Sequence, residues 1–192
     1  MIDRQIKIDG IEHQAEITHQ QAMPTIYIGR LKSSPIGPMW VAVSALGLVA
    51  IDWDMPQADF TRQVQGRLNA NVVYDEIHTN QAIQQLSEYL AGERRRFTLP
   101  IDFSDMTRFQ MQVLNLTLNI PYGETSTYKE LANRLGNQLA ARAVGRVEAT
   151  NPIPLVIPCH RVLGSDGNLH GYGGPGGIKL KAWLLELENT HK

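Results

Sequence analysis

The chain has 192 residues, 43% of them hydrophobic, and 18 lysines and arginines against 19 aspartates and glutamates give a formal net charge of -1. A chain of this length buries a core for one or two small domains. Its single cysteine excludes an internal disulfide and any cysteine-rich zinc site, and points to a reducing compartment. No apolar run reaches the roughly 20 residues of a membrane-spanning helix, and Met1-Ile2-Asp3-Arg4 lacks a secretory pattern. The expectation is a cytoplasmic protein, or a nuclear one where the cell has a nucleus, with no membrane partner. The near-neutral average hides an asymmetry: residues 1–105 carry nine basic and thirteen acidic side chains, residues 106–192 nine and six. A mildly basic C-terminal half suits contact with phosphates, although an ordinary solvated surface has the same composition.

In chain order, Arg4 to Ile8, Glu12 to Thr18 and Thr25 to Lys32 are short alternating or β-branched runs separated by Asp9-Gly10 and similar turns. Met39 to Ser44 and Leu48 to Asp52 flank Gly47, and together these runs predict an antiparallel meander. Pro56 to Leu68 and Asn80 to Ala91 carry helical periodicity, with Leu86, Tyr89 and Leu90 on one face of the second. The triplet Arg94-Arg95-Arg96 reads as DNA contact or, better, as a solvated helix end where cations oppose the negative end of the helix dipole. A linker near Leu99 to Ser104 divides the chain into an N-terminal α/β domain, 1–103, serving as structural support, and a C-terminal domain, 104–192.

Met106 to Leu118, Tyr128 to Leu135 and Gln138 to Ala149 are predicted helices, the second stopped at Gly136 and the third before Asn151-Pro152. Two helices joined by a glycine-containing turn form a helix-turn-helix signature, whose second helix enters a DNA groove. Ala141, Ala143 and Gly145 would let that helix approach a duplex closely, and helix packing would select the same small residues. The predicted class is α/β (α+β): an N-terminal antiparallel β-sheet with helices, then a mostly helical, winged-helix-like domain with the helix-turn-helix.

The lone cysteine, Cys159, sits in Ile157-Pro158-Cys159-His160-Arg161-Val162. A proline before it restricts the backbone and a histidine after it supplies a base, the conditions under which a thiol reacts rather than merely fills a core. A buried structural thiol is the competing explanation, since free cysteine is among the most buried residue types.

Several blocks in order carry a resemblance. Phe109-Gln110, Ile120-Pro121-Tyr122-Gly123-Glu124, Thr127-Tyr128, Ala140 to Gly145, Asn151-Pro152, Pro154, Pro158 to Val162, Gly171-Tyr172-Gly173-Gly174 and Lys181 to Leu185 resemble the catalytic domain of the O6-alkylguanine-DNA alkyltransferases. Ser34 to Trp40 is similar, less specifically, to that family's N-terminal hairpin.

The resemblance implies repair by direct reversal. The alkyl group of O6-alkylguanine, and of O4-alkylthymine as a further substrate, passes irreversibly to Cys159, consuming one molecule per lesion without metal or other cofactor. The partner it implies is double-stranded DNA containing the lesion, bound by a monomer. It casts His160 and Glu188 as a relay through water that lowers the effective pKa of Cys159, with Glu186 the solvent-facing competitor, and Asn151 as the residue that fixes the active-site turn. Arg142 would fill the gap left by the extruded guanine and Tyr128 would help rotate the nucleotide, a step a thiolate needs because O6 is unreachable inside a duplex. DNA contact extends to Ala141, Gly145, Lys129, Asn137 and Ser165. Pro154 and Tyr172 would line the alkyl pocket, the Gly173 amide would donate to O6, and the carbonyls of Cys159 and Val162 would accept from the exocyclic amine.

The chain departs from the family pattern at Leu114, where a tryptophan is common, and at Arg146, Val147 and Glu148. Glu148, on the recognition helix, is expected to repel phosphate unless Arg146 offsets it. An inert lesion-binding relative, a plain helix-turn-helix regulator and a cysteine hydrolase remain as alternatives. Cys159 argues against the first, the Pro158 to Val162 run is unexplained by the second, and the third would need an oxyanion hole and turnover.

Overall fold

The computed structural model describes residues 23–53, 55–174 and 176–191. The strands expected over Arg4 to Ile8 and Glu12 to Thr18 lie outside them. The N-terminal half is a four-stranded sheet, β1 (Thr25–Leu31), β2 (Met39–Ser44), β3 (Gly47–Trp53) and β4 (Asn71–Tyr74), in the order β3-β2-β1-β4. β1 to β3 form the expected antiparallel meander, but β4 pairs parallel to β1. No expected element covered β4: its four residues are too few for a legible alternation, and it is exposed apart from one half-buried position.

Alternation along β2 sends Met39 and Val41 to one face and Trp40 and Ala42 to the other. Helix α1 (Gln57–Leu68) covers the second face through Phe60 and Val64. Helix α2 (Glu76–Leu90) covers the first through Ala82, Leu86, Tyr89 and Leu90. It begins four residues earlier than its periodicity suggested, because Asp75 caps it by accepting from the amides of Ile77 and His78.

The C-terminal half holds α3 (Arg108–Leu118), a two-residue strand β5 (Ser126–Thr127), α4 (Tyr128–Arg134), α5 (Ala141–Ala149), β6 (Val162–Leu163) and α6 (Ile178–Thr190). Thr107 and Thr127 each make a capping box, with Gln110 and Glu130, which fixes where α3 and α4 begin. The third predicted helix opens as a 3₁₀ turn, Gln138–Ala140, before α5. Gly136, at φ 76°, ends α4 in the left-handed region that glycine enters without strain. Strands β5 and β6 pair in parallel over two residues each.

One apolar cluster runs through both halves, from Met39, Val41 and Leu86 to Val113, Leu114, Val144 and Leu184. Leu114, at the position where a tryptophan is common in the family the chain resembles, is buried in it. The linker is stapled to the sheet. The Leu48 amide donates to the Pro100 carbonyl at 2.9 Å, the Asp102 amide to the Leu48 carbonyl at 3.0 Å, and farther along the same edge the Ile51 amide donates to the Pro152 carbonyl at 2.9 Å.

Gly47 makes the staple possible. Its φ is 144°, and a Cβ there would lie 2.4 Å from the Pro100 carbonyl oxygen. Gly47→Ala is therefore expected to lose about 2 kcal/mol or more in urea unfolding, combining backbone strain with displacement of the linker.

Candidate active site

Helix α5 ends at Ala149, and the chain turns back beneath it to a 3₁₀ turn, Cys159–Arg161. Asn151 holds this return: its side-chain amide donates to the Ile157 carbonyl at 2.9 Å, and its oxygen accepts from the Ile153 amide at 3.0 Å. The Cys159 amide donates to that same Ile157 carbonyl at 2.8 Å, so one acceptor fixes both the turn and the cysteine backbone.

His160 and Glu188 are completely buried. His160 Nε2 lies 2.8 Å from Glu188 Oε1, so this nitrogen carries the proton donated to the carboxylate. His160 Nδ1 is then an acceptor, and it is buried with no hydrogen-bond partner among the described residues. Three further groups converge on Glu188. Tyr89 Oη donates to Oε1 at 2.6 Å, the Gly123 amide to Oε2 at 3.0 Å, and Arg161 offers Nε at 3.0 Å to Oε2 and Nη2 at 2.9 Å to Oε1. Arg161 Nη1 also donates to the Ile120 carbonyl at 2.6 Å. Burial alone would raise the Glu188 carboxyl, but His160 and Arg161 overcome it and bring it down to about 2. Glu186 is exposed, and its side chain lies 3.5 Å from the Thr190 hydroxyl.

Sequence reasoning missed two members of this network. Tyr89 was read only as an apolar face of α2, yet it is fully buried with its hydroxyl on Glu188. Arg161 was read only as part of a motif. The available signal was an arginine beside a histidine in an otherwise apolar run, which needs a buried carboxylate to sit there.

The expected low thiol pKa is not a property of this resting site. Burial pushes the Cys159 thiol up to about 12, the Glu148 carboxyl adds to the rise, and Asn151 and Lys181 oppose it. Burial also lowers His160 against the opposing pull of Glu188. The resting pair is a neutral thiol and a neutral imidazole, because only 6% of Cys159 is exposed and the pull of Lys181 is outweighed by burial and by Glu148.

Cys159 opens onto a cavity of about 290 Å³ whose walls include Asn151, Pro154, Tyr172 and Gly173, four residues expected at the site. Val162 does not line it. It is buried in β6, and its carbonyl accepts from Lys181 Nζ at 2.7 Å. The opposite wall comes from the N-terminal half: Ile51, Asp52 and Trp53 of β3, with Gln63 and Arg67 of α1. A Cβ on Gly174 would lie 2.6 Å from the Trp53 ring, so the glycine-rich loop closes directly on that wall.

On the outer face, Arg142 and Arg146 are exposed four residues apart on α5 and make no ion pair among the described residues. Gly145 lies against the Tyr128 ring, where a Cβ would sit 3.7 Å from the nearest ring carbon. Tyr128 and Ala141 are half-buried, and Lys129, Asn137 and Ser165 are exposed. Asn137 has a local task as well, capping the 3₁₀ turn by accepting from the Leu139 amide at 3.1 Å.

Glu148 does not face the outside. It is 5% exposed, because Val144, Val147 and Glu148 share the face of α5 that packs on α3, and it joins Cys159 in lining the cavity. The expected repulsion of phosphate therefore does not arise from it.

Comparison with known proteins agrees with this geometry. Residues 26–103 match the profile of the 6-O-methylguanine DNA methyltransferase ribonuclease-like domain, and residues 108–190 that of the 6-O-methylguanine DNA methyltransferase DNA binding domain. The methylated-DNA–protein-cysteine methyltransferase of Mycobacterium leprae is 42% identical over 159 residues, 83% of this chain and 90% of that protein. The chain belongs to the methylated-DNA–protein-cysteine methyltransferase family. The Methanosarcina acetivorans methyltransferase is 38% identical over 161 residues, covering 82% of this chain and 95% of that one. The crystal structure of Mycobacterium tuberculosis OGT in complex with DNA superposes with a TM-score of 0.71 at 37% identity, over 87% of this chain and 94% of that one. Among the described residues of this methyltransferase, no helix is long and apolar enough to cross a membrane.

The charge state of Glu188 sets a stability signature. Its carboxyl is depressed on folding, so its contribution of about 3 kcal/mol is present above the ordinary carboxylate range and lost as the pH falls toward 2. Glu188→Gln should unfold well below the wild type in thermal melts at pH 7, with the gap closing as the pH is lowered through that window. Glu186→Gln should melt within about 0.5 kcal/mol of the wild type throughout.

Proposed function

We propose that this methyltransferase repairs O6-alkylguanine in double-stranded DNA, with O4-alkylthymine as a further substrate, by transferring the alkyl group to Cys159 in a single turnover. The observation that carries this reading is the chain's one cysteine at the wall of a base-sized cavity, adjacent in sequence to a buried histidine whose Nδ1 has no partner among the described residues and whose Nε2 is held by Glu188. The relatives' names and the DNA complex of the similar mycobacterial protein support the same reading.

In this mechanism the thiol proton leaves through a water to His160 Nδ1 as the reaction proceeds. The cation so formed is stabilised by Glu188, already ionised and hydrogen-bonded. Sulfur forms its bond to the alkyl carbon, the carbon–O6 bond breaks with its electrons remaining on the purine, and the relayed proton neutralises the departing guanine. The neutral resting thiol does not obstruct this route, because proton loss and attack are coupled once the base has displaced bulk solvent from the cavity and left the bridging water in place. The thioether product has no nucleophile to reverse it, so each molecule acts once, as a monomer.

Extrusion of the nucleotide is assigned to the outer face. Arg142, exposed on α5 and free of ion pairs among the described residues, fills the vacated stack with a planar guanidinium. Tyr128, packed on Gly145, crowds the phosphate as the nucleotide rotates. Lys129, Asn137 and Ser165 add backbone contacts, and the amide of Gly173 faces O6.

Intact-mass and peptide analysis after incubation with O6-methylguanine DNA should find one methyl group, on the Cys159 peptide, and none in Cys159→Ala. Transfer that persists in Cys159→Ala would overturn the assignment. Arg142→Ala should slow repair of duplex DNA by on the order of 100-fold while changing reaction with free O6-benzylguanine less than about threefold, since a free base needs no extrusion. Equal losses on both substrates would count against the extrusion role.

A further inference from the structure

The Glu148 carboxyl has no role in the relay, yet it shares the wall of the cavity with Cys159. Its Oε1 lies 2.5 Å from Thr117 Oγ1, which is also 3.1 Å from the Val113 carbonyl. Thr117 has one hydroxyl proton and so can donate to only one of these oxygens. A proton on Glu148 resolves the count: the acid donates to Thr117 and Thr117 donates to Val113. Glu148 Oε2 is buried with no hydrogen-bond partner among the described residues, the condition of a carbonyl oxygen rather than of a carboxylate.

Of the groups around it, Lys181 and Thr117 favour the ionised form, but burial outweighs them, and none of the cations among the described residues forms an ion pair with it. Lys181 Nζ, on α6, is committed to the carbonyls of Val162 and His170 at 2.7 and 3.1 Å. Tyr128, at the start of α4, is a phenol that burial and Glu148 itself push further up. Arg67 and Asp52, on the N-terminal wall, are engaged with Asp105 and Gln63.

We propose that Glu148 is a positioning residue that works as a neutral acid beside Cys159, and that its ionisation shuts down alkyl transfer and so gives the reaction an alkaline limit. The inference rests on Cys159 being the alkyl acceptor. Its physical basis is the sign of the charge that develops. As the sulfur gives up its proton and the carbon–O6 bond breaks, negative charge gathers on sulfur and on the purine, both in the cavity that Glu148 lines. A carboxylate there opposes both, in surroundings where little water screens it. Burial pushes the Glu148 carboxyl up to about 7, which puts the change of state within the working range of the protein.

The test uses the full chain and free O6-benzylguanine, which removes DNA binding from the measurement. Second-order rate constants for benzylation of Cys159, read by intact mass from pH 5.5 to 9, are compared for wild type and Glu148→Gln. Glu148→Gln should match the wild type within about twofold at pH 6 and exceed it at least about fivefold at pH 8.5, with the ratio rising around neutrality. A ratio independent of pH would overturn the proposal, because a purely structural role for Glu148 shifts the whole profile. Carboxyl-carbon NMR of Glu148 in Cys159→Ser provides a readout independent of activity, and titration in the ordinary range of about 4 to 5 would equally overturn it. No benzylation of the wild-type Cys159 at any pH would overturn the alkyl-acceptor reading itself, and this inference with it.

Discussion

A single buried carboxylate organises this molecule. Glu188, on the last helix, accepts hydrogen bonds from Tyr89 on α2, from the Gly123 backbone ahead of β5, and from His160 and Arg161 of the cysteine turn. A charge at zero exposure is costly unless its lone pairs are filled, and here the donors come from three separate stretches of chain. His160, the proposed relay residue, is oriented by the same contacts that bring the two halves together. The N-terminal half is therefore not a detachable support: it supplies Tyr89 to the carboxylate and β3 to the cavity wall.

Much of this was legible in the sequence. β1 to β3, α1, and the helices from α3 to α5 follow from periodicity, capping residues and glycine stops, since those signals act over a few neighbouring residues. The cysteine turn, its asparagine and the cavity residues Pro154, Tyr172 and Gly173 follow from motifs in fixed order. What escaped depends on contacts between distant segments. Strand β4 owes its existence to pairing with β1, and Tyr89 joins the carboxylate network only because α6 lays Glu188 against it. Glu148 was misread for a related reason. Its spacing from Val144 was visible, but a carboxylate on an apolar stripe reads as surface until the packing of α5 on α3 is known.

The electrostatics of the cysteine illustrate how motif and environment divide the work. Pro158 to Val162 identifies the nucleophile, while its resting charge is set by burial and by neighbours that the motif does not contain. A thiol kept neutral until a base occupies the cavity is protected from adventitious electrophiles and oxidants, which act on thiolates. In the proposed mechanism, reactivity and inertness are reconciled by making deprotonation part of the transfer.

The staple at Gly47 bears on a different property. β3 is an edge strand of the sheet, and an edge with free amides and carbonyls is a template for pairing with other chains. Here the Leu48 amide and carbonyl are taken by the linker, and the Ile51 amide by Pro152 at the start of the active-site return. The opposite edge, β4, is only four residues long. Bonds that join the halves of the protein thus also cap its sheet, so separation of the halves would expose a strand competent for aggregation at the same moment as it dismantled the cavity.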